Sequence, residues 1–139
     1  MTIKAQVTWV EDRRFVGRAS SGHAIVVDGS AEKVGSSPME LVLIGTAGCT
    51  AYDVVDILHK KRQAVTGVAV IARAKRAETA PRVFTEIAVE YVIRGHGVKP
   101  KAVEDAIRLS KDKYCSASIM LAKTARIVTS YRIEEDHLD

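Results

Sequence analysis

The run SSPMELVLIGTAGCTAYDVVDIL, Ser36 to Leu58, limits what this chain can fold into more than any other stretch. Ser37 ahead of Pro38 suits a helix start, with proline at the first helical position, and Glu40 complements the positive end of the helix dipole. Lys60, Lys61 and Arg62 favour the opposite end. A helix of about 25 residues is roughly 37 Å long at 1.5 Å per residue. Only Thr46, Thr50, Asp53 and Lys60 make a narrow polar stripe along it. A helix that is apolar nearly all round must be buried nearly all round. One chain of 139 residues, with three light strands ahead of the helix, can scarcely do this, so a second subunit is expected to share the burial.

The remaining segments read as strands and short helices. IKAQVTWV (3–10) alternates Ile3, Ala5, Val7 and Trp9 against polar partners, EDRR turns, Phe15–Ser20 forms a second strand, and HAIVVDG a third that closes on Asp-Gly. Beyond the helix, Val65–Lys75 and Arg82–Arg94 are strands joined through Glu78-Thr79-Ala80-Pro81. In the second of these, Val83, Thr85, Ile87, Val89, Tyr91 and Ile93 alternate. Lys99-Pro100 starts a helix whose inner face carries Val103, Ala106, Ile107, Ser110 and Tyr114. A tight break at Cys115, a short helix and a last strand, RIVTSYRI, complete the order β-β-β-α-β-β-α-α-β. This is an α+β arrangement in a single domain, residues 1–139, and not an alternating parallel-sheet fold. With 5% aromatic residues the core must come from Val, Ile, Leu and Ala.

Several function classes drop out. A net charge of +4 without a Lys/Arg stripe or interleaved aromatics does not support nucleic-acid binding. The most apolar window carries Glu40, Asp53 and Asp56, which argues against a membrane span. MTIKAQVTWVEDRR has no apolar core of signal-peptide length, so the two cysteines are expected in the cytoplasm, reduced or cycling. His23, His59, His96 and His137 are scattered, without cysteine partners at ligand spacing, so no metal is expected. No glycine-rich loop lies between strand and helix, so no phosphate or dinucleotide cofactor is expected.

The two thiols remain. Cys49 has Gly45, Gly48, Tyr52 and Asp53 as helical neighbours. Each glycine costs the helix roughly 1 kcal/mol relative to alanine, which suggests that another helix or a substrate approaches the backbone there. Cys49 also fits a plain role as a small buried hydrophobe. Cys115, at a helix junction near Lys111 and Lys113, is placed for thiolate stabilisation by free N–H groups; it reads equally as a half-buried boundary residue. Were the thiols to meet in space, one would attack an oxidant and the other resolve the sulfenic acid. Spacing leaves that open.

SSPMELVLIGTAGCTAYDVV resembles the central-helix motif of the OsmC/Ohr superfamily, in which Pro precedes an acidic and apolar run that reaches Cys eleven residues later. DKYCSASIML resembles that family's second-cysteine segment, and APRVFTEIAVEYVIRG the strand before its second helical region. The likeness is closest to the YhfA-like branch and covers essentially the whole chain. It implies an OsmC-like fold, an intertwined homodimer with antiparallel sheets wrapped around central apolar helices. It further implies that Cys49 is a peroxidatic thiol acting on organic hydroperoxides and Cys115 the resolving thiol, reopened by a dithiol reductant.

The peroxidase branches also use an N-terminal arginine and a glutamate directly after the proline. Here Met39 occupies the glutamate position, and Glu40, one residue and about 100° further round, reads as a helix-start residue. Arg13 and Arg14 in the first turn, and Arg82 after Pro81, are candidate thiolate-stabilising cations, and each also reads as a surface charge. Asp53, one turn after Cys49, would raise the thiol's pKa unless a cation neutralises it. The expectation is a thiol-dependent peroxidase in oxidative-stress response, with a non-catalytic, redox-sensing or apolar-ligand-binding dimer as the alternative.

Overall fold

The structure, a computed structural model, describes residues 1–137, so the last two positions of the expected 1–139 domain lie outside the described residues. The chain divides into two compact units, Met1–Val42 and Leu43–Asp139.

In the first unit β1 (Ala5–Glu11), β2 (Arg14–Ala19) and β3 (Ala24–Asp28) form an antiparallel meander in the order β1-β2-β3. Asp12 makes the first turn at a φ of 47°, a left-handed conformation that Asp tolerates better than most residues. The indole of Trp9 donates to the Asp12 carbonyl at 2.8 Å. At the end of β3 the fully buried Asp28 organises the following loop. Its carboxylate accepts from the Ser30 amide (2.8 Å) and hydroxyl (2.5 Å), the Val34 amide (2.8 Å) and Arg14 Nε (3.2 Å). Those bonds, the Ser30 hydroxyl first, hold its carboxyl well below the usual carboxylate range. Much of the meander's apolar surface is bare: Val7, Trp9, Val10, Ile25 and Val26 are all exposed.

Helix α1 (Pro38–Lys60) starts on a reciprocal cap. The Ser37 amide donates to Glu40 Oε1 at 2.9 Å, and the Glu40 amide donates to Ser37 Oγ at 3.2 Å. At its end Arg62 adopts a φ of 56°, and Gln63 N–H reaches back to the Leu58 carbonyl, a left-handed helix stop normally filled by glycine. By length and composition alone α1 is long and apolar enough to cross a membrane. Its buried residues are Thr46, Thr50, Val54 and Leu58. The polar stripe thus contributes to the inner face, while Ile44 (58% exposed) and Tyr52 (75%) stand on uncovered ones.

In the second unit β4 (Ala64–Arg76) and β5 (Phe84–His96) form a long antiparallel hairpin, and β6 (Arg126–Glu135) joins β5 in parallel. The inward alternation expected along β5 holds from Ile87 through Ile93 but not before. Lys75 and Arg76 of β4 pair with Glu86 and Phe84, so β5 carries one extra residue there, Thr85, and this bulge leaves Phe84 buried and Val83 exposed. Between β5 and β6 come α2 (Pro100–Leu109), a single π turn (Ser110–Tyr114) and α3 (Ser116–Leu121). The core gathers Val54 and Leu58, Ile87, Val89, Tyr91 and Ile93, Val103, Ala106 and Ile107, and Cys115. The α+β class and the element order match the sequence reading.

Candidate functional site: a thiol pair beside a buried hydroxyl chain

The π turn decides where Cys115 sits. Its N–H bonds to the Ser110 carbonyl at 2.7 Å, five residues back instead of four, and the chain then leaves helical geometry at Cys115 (φ −77°, ψ 98°) before α3 begins. Single π turns inside helices recur at functional sites because the extra residue re-aims the side chains around it. Here it puts a cysteine at the N-cap of α3. The Cys115 sulfur accepts from the Ser118 amide (3.4 Å) and the Ser118 hydroxyl (3.0 Å). Burial pushes the Cys115 thiol up, the two Ser118 bonds pull it down, and the neighbouring Cys49 thiol pushes it up again. The two cysteines, far apart in sequence, therefore act on one another in the fold. Both are free thiols, Cys115 buried and Cys49 partly exposed.

A chain of hydroxyls runs beside this pair. Tyr91 OH and Thr50 Oγ1 lie 2.7 Å apart, Thr50 Oγ1 and Ser110 Oγ 2.7 Å, and Ser110 Oγ donates to Asp53 Oδ2 at 2.9 Å. Each hydroxyl owns one proton. Ser110 spends its proton on Asp53, so Thr50 donates to Ser110 and Tyr91 donates to Thr50. One carboxylate thus sets the direction of the whole chain. Burial pushes the Tyr91 phenol up, and the charges of Cys115 and Asp53 raise it further.

The sequence reading asked for a cation to neutralise Asp53. Among the described residues none pairs with it, and the Ser110 hydroxyl takes that place. Lys60 and Lys61, which border the same open cleft of about 500 Å³ as Asp53, are engaged elsewhere, Lys60 with Asp56 at 2.9 Å and Lys61 with Asp105 at 3.6 Å. Gly45 and Gly48 were read as sites of close approach. Among the described residues nothing outside the helix's own backbone comes within 4 Å of a Cβ built on either, so the space beside Cys49 is open.

Residues 29–130 match the sequence model of the OsmC-like protein family. The chain belongs to the OsmC family. Among OsmC-family relatives, protein YhfA of Escherichia coli K12 is 44% identical over 131 residues, covering 94% of this chain and 98% of that protein. A hypothetical protein from Aquifex aeolicus VF5 has the same fold with a TM-score of 0.89 at 30% identity, each chain covered to 99%. The organic hydroperoxide resistance protein OhrB of Bacillus subtilis shares the fold at 13% identity and a TM-score of 0.64, with 95% of this chain and 98% of that one covered.

The other residues singled out in this OsmC-family chain have definite places. Met39 is half-buried in the first turn of α1. Glu40 is tied into the helix cap and 3.6 Å from Lys33, and the bonds from Ser37 lower its pKa. Arg14 is fully committed, to Asp28 through Nε, to the Glu32 carbonyl at 2.8 Å and to Glu11 at 3.6 Å. Arg13 is exposed, its carbonyl accepting from Gly29 at 3.0 Å. Arg82 is exposed in the β4–β5 loop and donates to the Ala77 carbonyl at 3.3 Å. Sequence reasoning missed Thr50, Tyr91, Ser110 and Ser118 as members of the site. Ser110 carried the signal, as a hydroxyl on the otherwise apolar face of a helix.

Proposed function

We propose that this OsmC-family protein is a thiol-dependent peroxidase for organic hydroperoxides, working in the cytoplasm within oxidative-stress defence. The single observation that carries the reading is that the Cys49 thiol on α1 acts on the Cys115 thiol at the end of the π turn. The fold shared with organic hydroperoxide resistance proteins supports it.

In the proposed cycle the Cys49 thiolate attacks the terminal peroxide oxygen. The S–O bond forms, the O–O bond breaks, and the departing alkoxide takes a proton to leave as alcohol. The Cys115 sulfur then attacks the Cys49 sulfenic acid, S–S forming as S–O breaks, and the hydroxyl departs as water once it has taken a proton. A dithiol reductant reopens the disulfide by exchange. Cys49 takes the first role because it is the more accessible thiol, whereas Cys115 is fully buried. With Arg14 held by Asp28, Arg13 and Arg82 are the arginines left for steadying thiolate and alkoxide.

The working form is a homodimer whose interface contains the substrate pocket, and the 1–139 chain serves as one OsmC-like domain. The uncovered face of α1 around Ile44 and Tyr52 supports this, as does the open space over Gly45 and Gly48. So does an apolar groove of about 590 Å³ in the first unit, lined by Val7, Phe15, Ile25, Val27, Pro38 and Leu41. Stopped-flow mixing of the reduced protein with cumene hydroperoxide tests the activity. Rapid consumption that disappears in Cys49→Ser supports it; wild type no faster than Cys49→Ser ends it.

A second reading, a redox-sensing or apolar-ligand-binding dimer without turnover, draws on Met39 in place of glutamate and on the commitment of Arg14. Native mass spectrometry of freshly purified protein separates the two. A retained apolar ligand together with absent turnover favours the second reading.

A further inference from the structure

A disulfide forms readily only when its two Cα atoms stand about 4.4–6.8 Å apart with the Cβ vectors converging. Cys49 and Cys115 sit on different elements, so something must hold those elements in register. A hydrogen-bonded route between the two backbones runs through the hydroxyl chain. Thr50 follows Cys49 directly on α1, its Oγ1 lies 2.7 Å from Ser110 Oγ, and the Ser110 carbonyl accepts the N–H of Cys115 at 2.7 Å. Two hydrogen bonds therefore link the peptide after one cysteine to the peptide of the other.

Three features set this link apart from ordinary core packing. Thr50, Ser110 and Tyr91 are 1%, 0% and 2% exposed, in a core built mainly of Val, Ile, Leu and Ala. Among the described residues no buried side-chain polar atom lacks a partner, so the network is satisfied throughout. The Asp53 carboxylate, by accepting from Ser110, gives every hydroxyl one orientation instead of two. A satisfied buried network of this kind specifies one geometry more narrowly than apolar contacts do, because each member loses its partner if the elements slide. The π turn belongs to the same device, since it places both the Ser110 hydroxyl and the Ser110 carbonyl where they are needed.

We propose that Thr50 and Ser110, oriented by Asp53 and backed by Tyr91, are positioning residues that hold Cys49 and Cys115 in disulfide register. The inference rests on the proposed function for the biological use of the disulfide, but the register itself is measured without any peroxide. Reduced protein is equilibrated with glutathione buffers. Two protein thiols give two electrons and two protons to glutathione disulfide, whose S–S bond breaks to two glutathione thiols. The fraction of Cys49–Cys115 disulfide, read by alkylation and mass spectrometry, gives the effective concentration of the pair.

Thr50→Val and Ser110→Ala are each expected to lower that effective concentration at least tenfold, a rise of about 30 mV in reduction potential. Thr50→Ser, which keeps the hydroxyl, is expected to stay within threefold of wild type. Val54→Ala, which empties part of the same helix's inner face but leaves the hydroxyls alone, is expected to stay within threefold as well, even though it lowers stability. Should Thr50→Val fail to fold, Ser110→Ala carries the test. The proposal is overturned if wild type forms no Cys49–Cys115 disulfide in these buffers, if the hydroxyl-deleting variants match wild type, or if Val54→Ala shifts the equilibrium as far as they do. A disulfide that forms in glutathione but not with hydroperoxide would sink the peroxidase reading and leave the register intact.

Discussion

The direction of the hydroxyl chain makes a prediction about stability that packing alone would not. Tyr91 is the terminal donor: it gives its proton to Thr50, and no other side-chain bond to its oxygen is present among the described residues. Tyr91→Phe therefore removes one hydrogen bond and leaves only a lone pair of Thr50 unfilled, at an expected cost of about 0.5–1.5 kcal/mol. Thr50→Val keeps the side chain's shape but strands the Tyr91 O–H, 2% exposed, with no acceptor and removes the donor to Ser110. A stranded buried donor costs about 1–3 kcal/mol, so the threonine change should be the more damaging of the two. In the double variant the stranded phenol is gone, and the cost should fall short of the sum by about 1 kcal/mol, within the usual range for residues in contact. Urea unfolding of the reduced proteins at one fixed concentration, with unchanged m-values, measures all four corners of the cycle. Additivity within about 0.3 kcal/mol, or a larger loss for Tyr91→Phe than for Thr50→Val, would refute the assigned direction.

Other outcomes follow from the same structure. Burial raises the Cys115 pKa, so its thiol stabilises the reduced fold below the ordinary thiol range of about 8.5, and that contribution is lost as pH rises through the higher folded value. Cys115→Ser should therefore flatten the alkaline fall in stability seen by denaturant titration between roughly pH 8 and 10, the range around a free thiol's pKa. Asp28 behaves in the opposite sense. Its depressed pKa gives stability that is present above the unfolded value of about 4 and fades as the solution is acidified below it, so Asp28→Asn should flatten the acid limb. Arg62→Gly should stabilise by about 1 kcal/mol, since glycine carries no Cβ penalty at a left-handed helix stop. Glu40→Gln should leave hydroperoxide consumption unchanged, because glutamine also closes the helix cap; a loss of activity would restore Glu40 as a partner of the thiolate.

Much of this molecule is legible in its sequence, and for local reasons. The start of α1 follows from Ser37, Pro38 and Glu40, whose preferences act within one turn, and the structure puts that cap where those residues stand. Strand alternation located β5 and its inward Tyr91 but failed before Ile87, because a bulge at Thr85 on β5 itself shifts the parity and nothing near Val83 announces it. The family likeness was likewise visible in two segments around the cysteines and the strand between them. What the sequence left open was whether the polar stripe of α1 faced water. Thr46 and Thr50 are buried along with Val54 and Leu58, and the burial of the Thr50 hydroxyl depends on Tyr91 and Ser110, which come from elements far along the chain. The same holds for the thiols. Residue types and order named Cys49 and Cys115 as candidates, but only the folded arrangement lets the Cys49 thiol act on Cys115. Helix caps and strand pleats are fixed by neighbours in sequence. A hydrogen bond between Thr50 and Ser110 exists only once tertiary packing has excluded the water that would otherwise satisfy both.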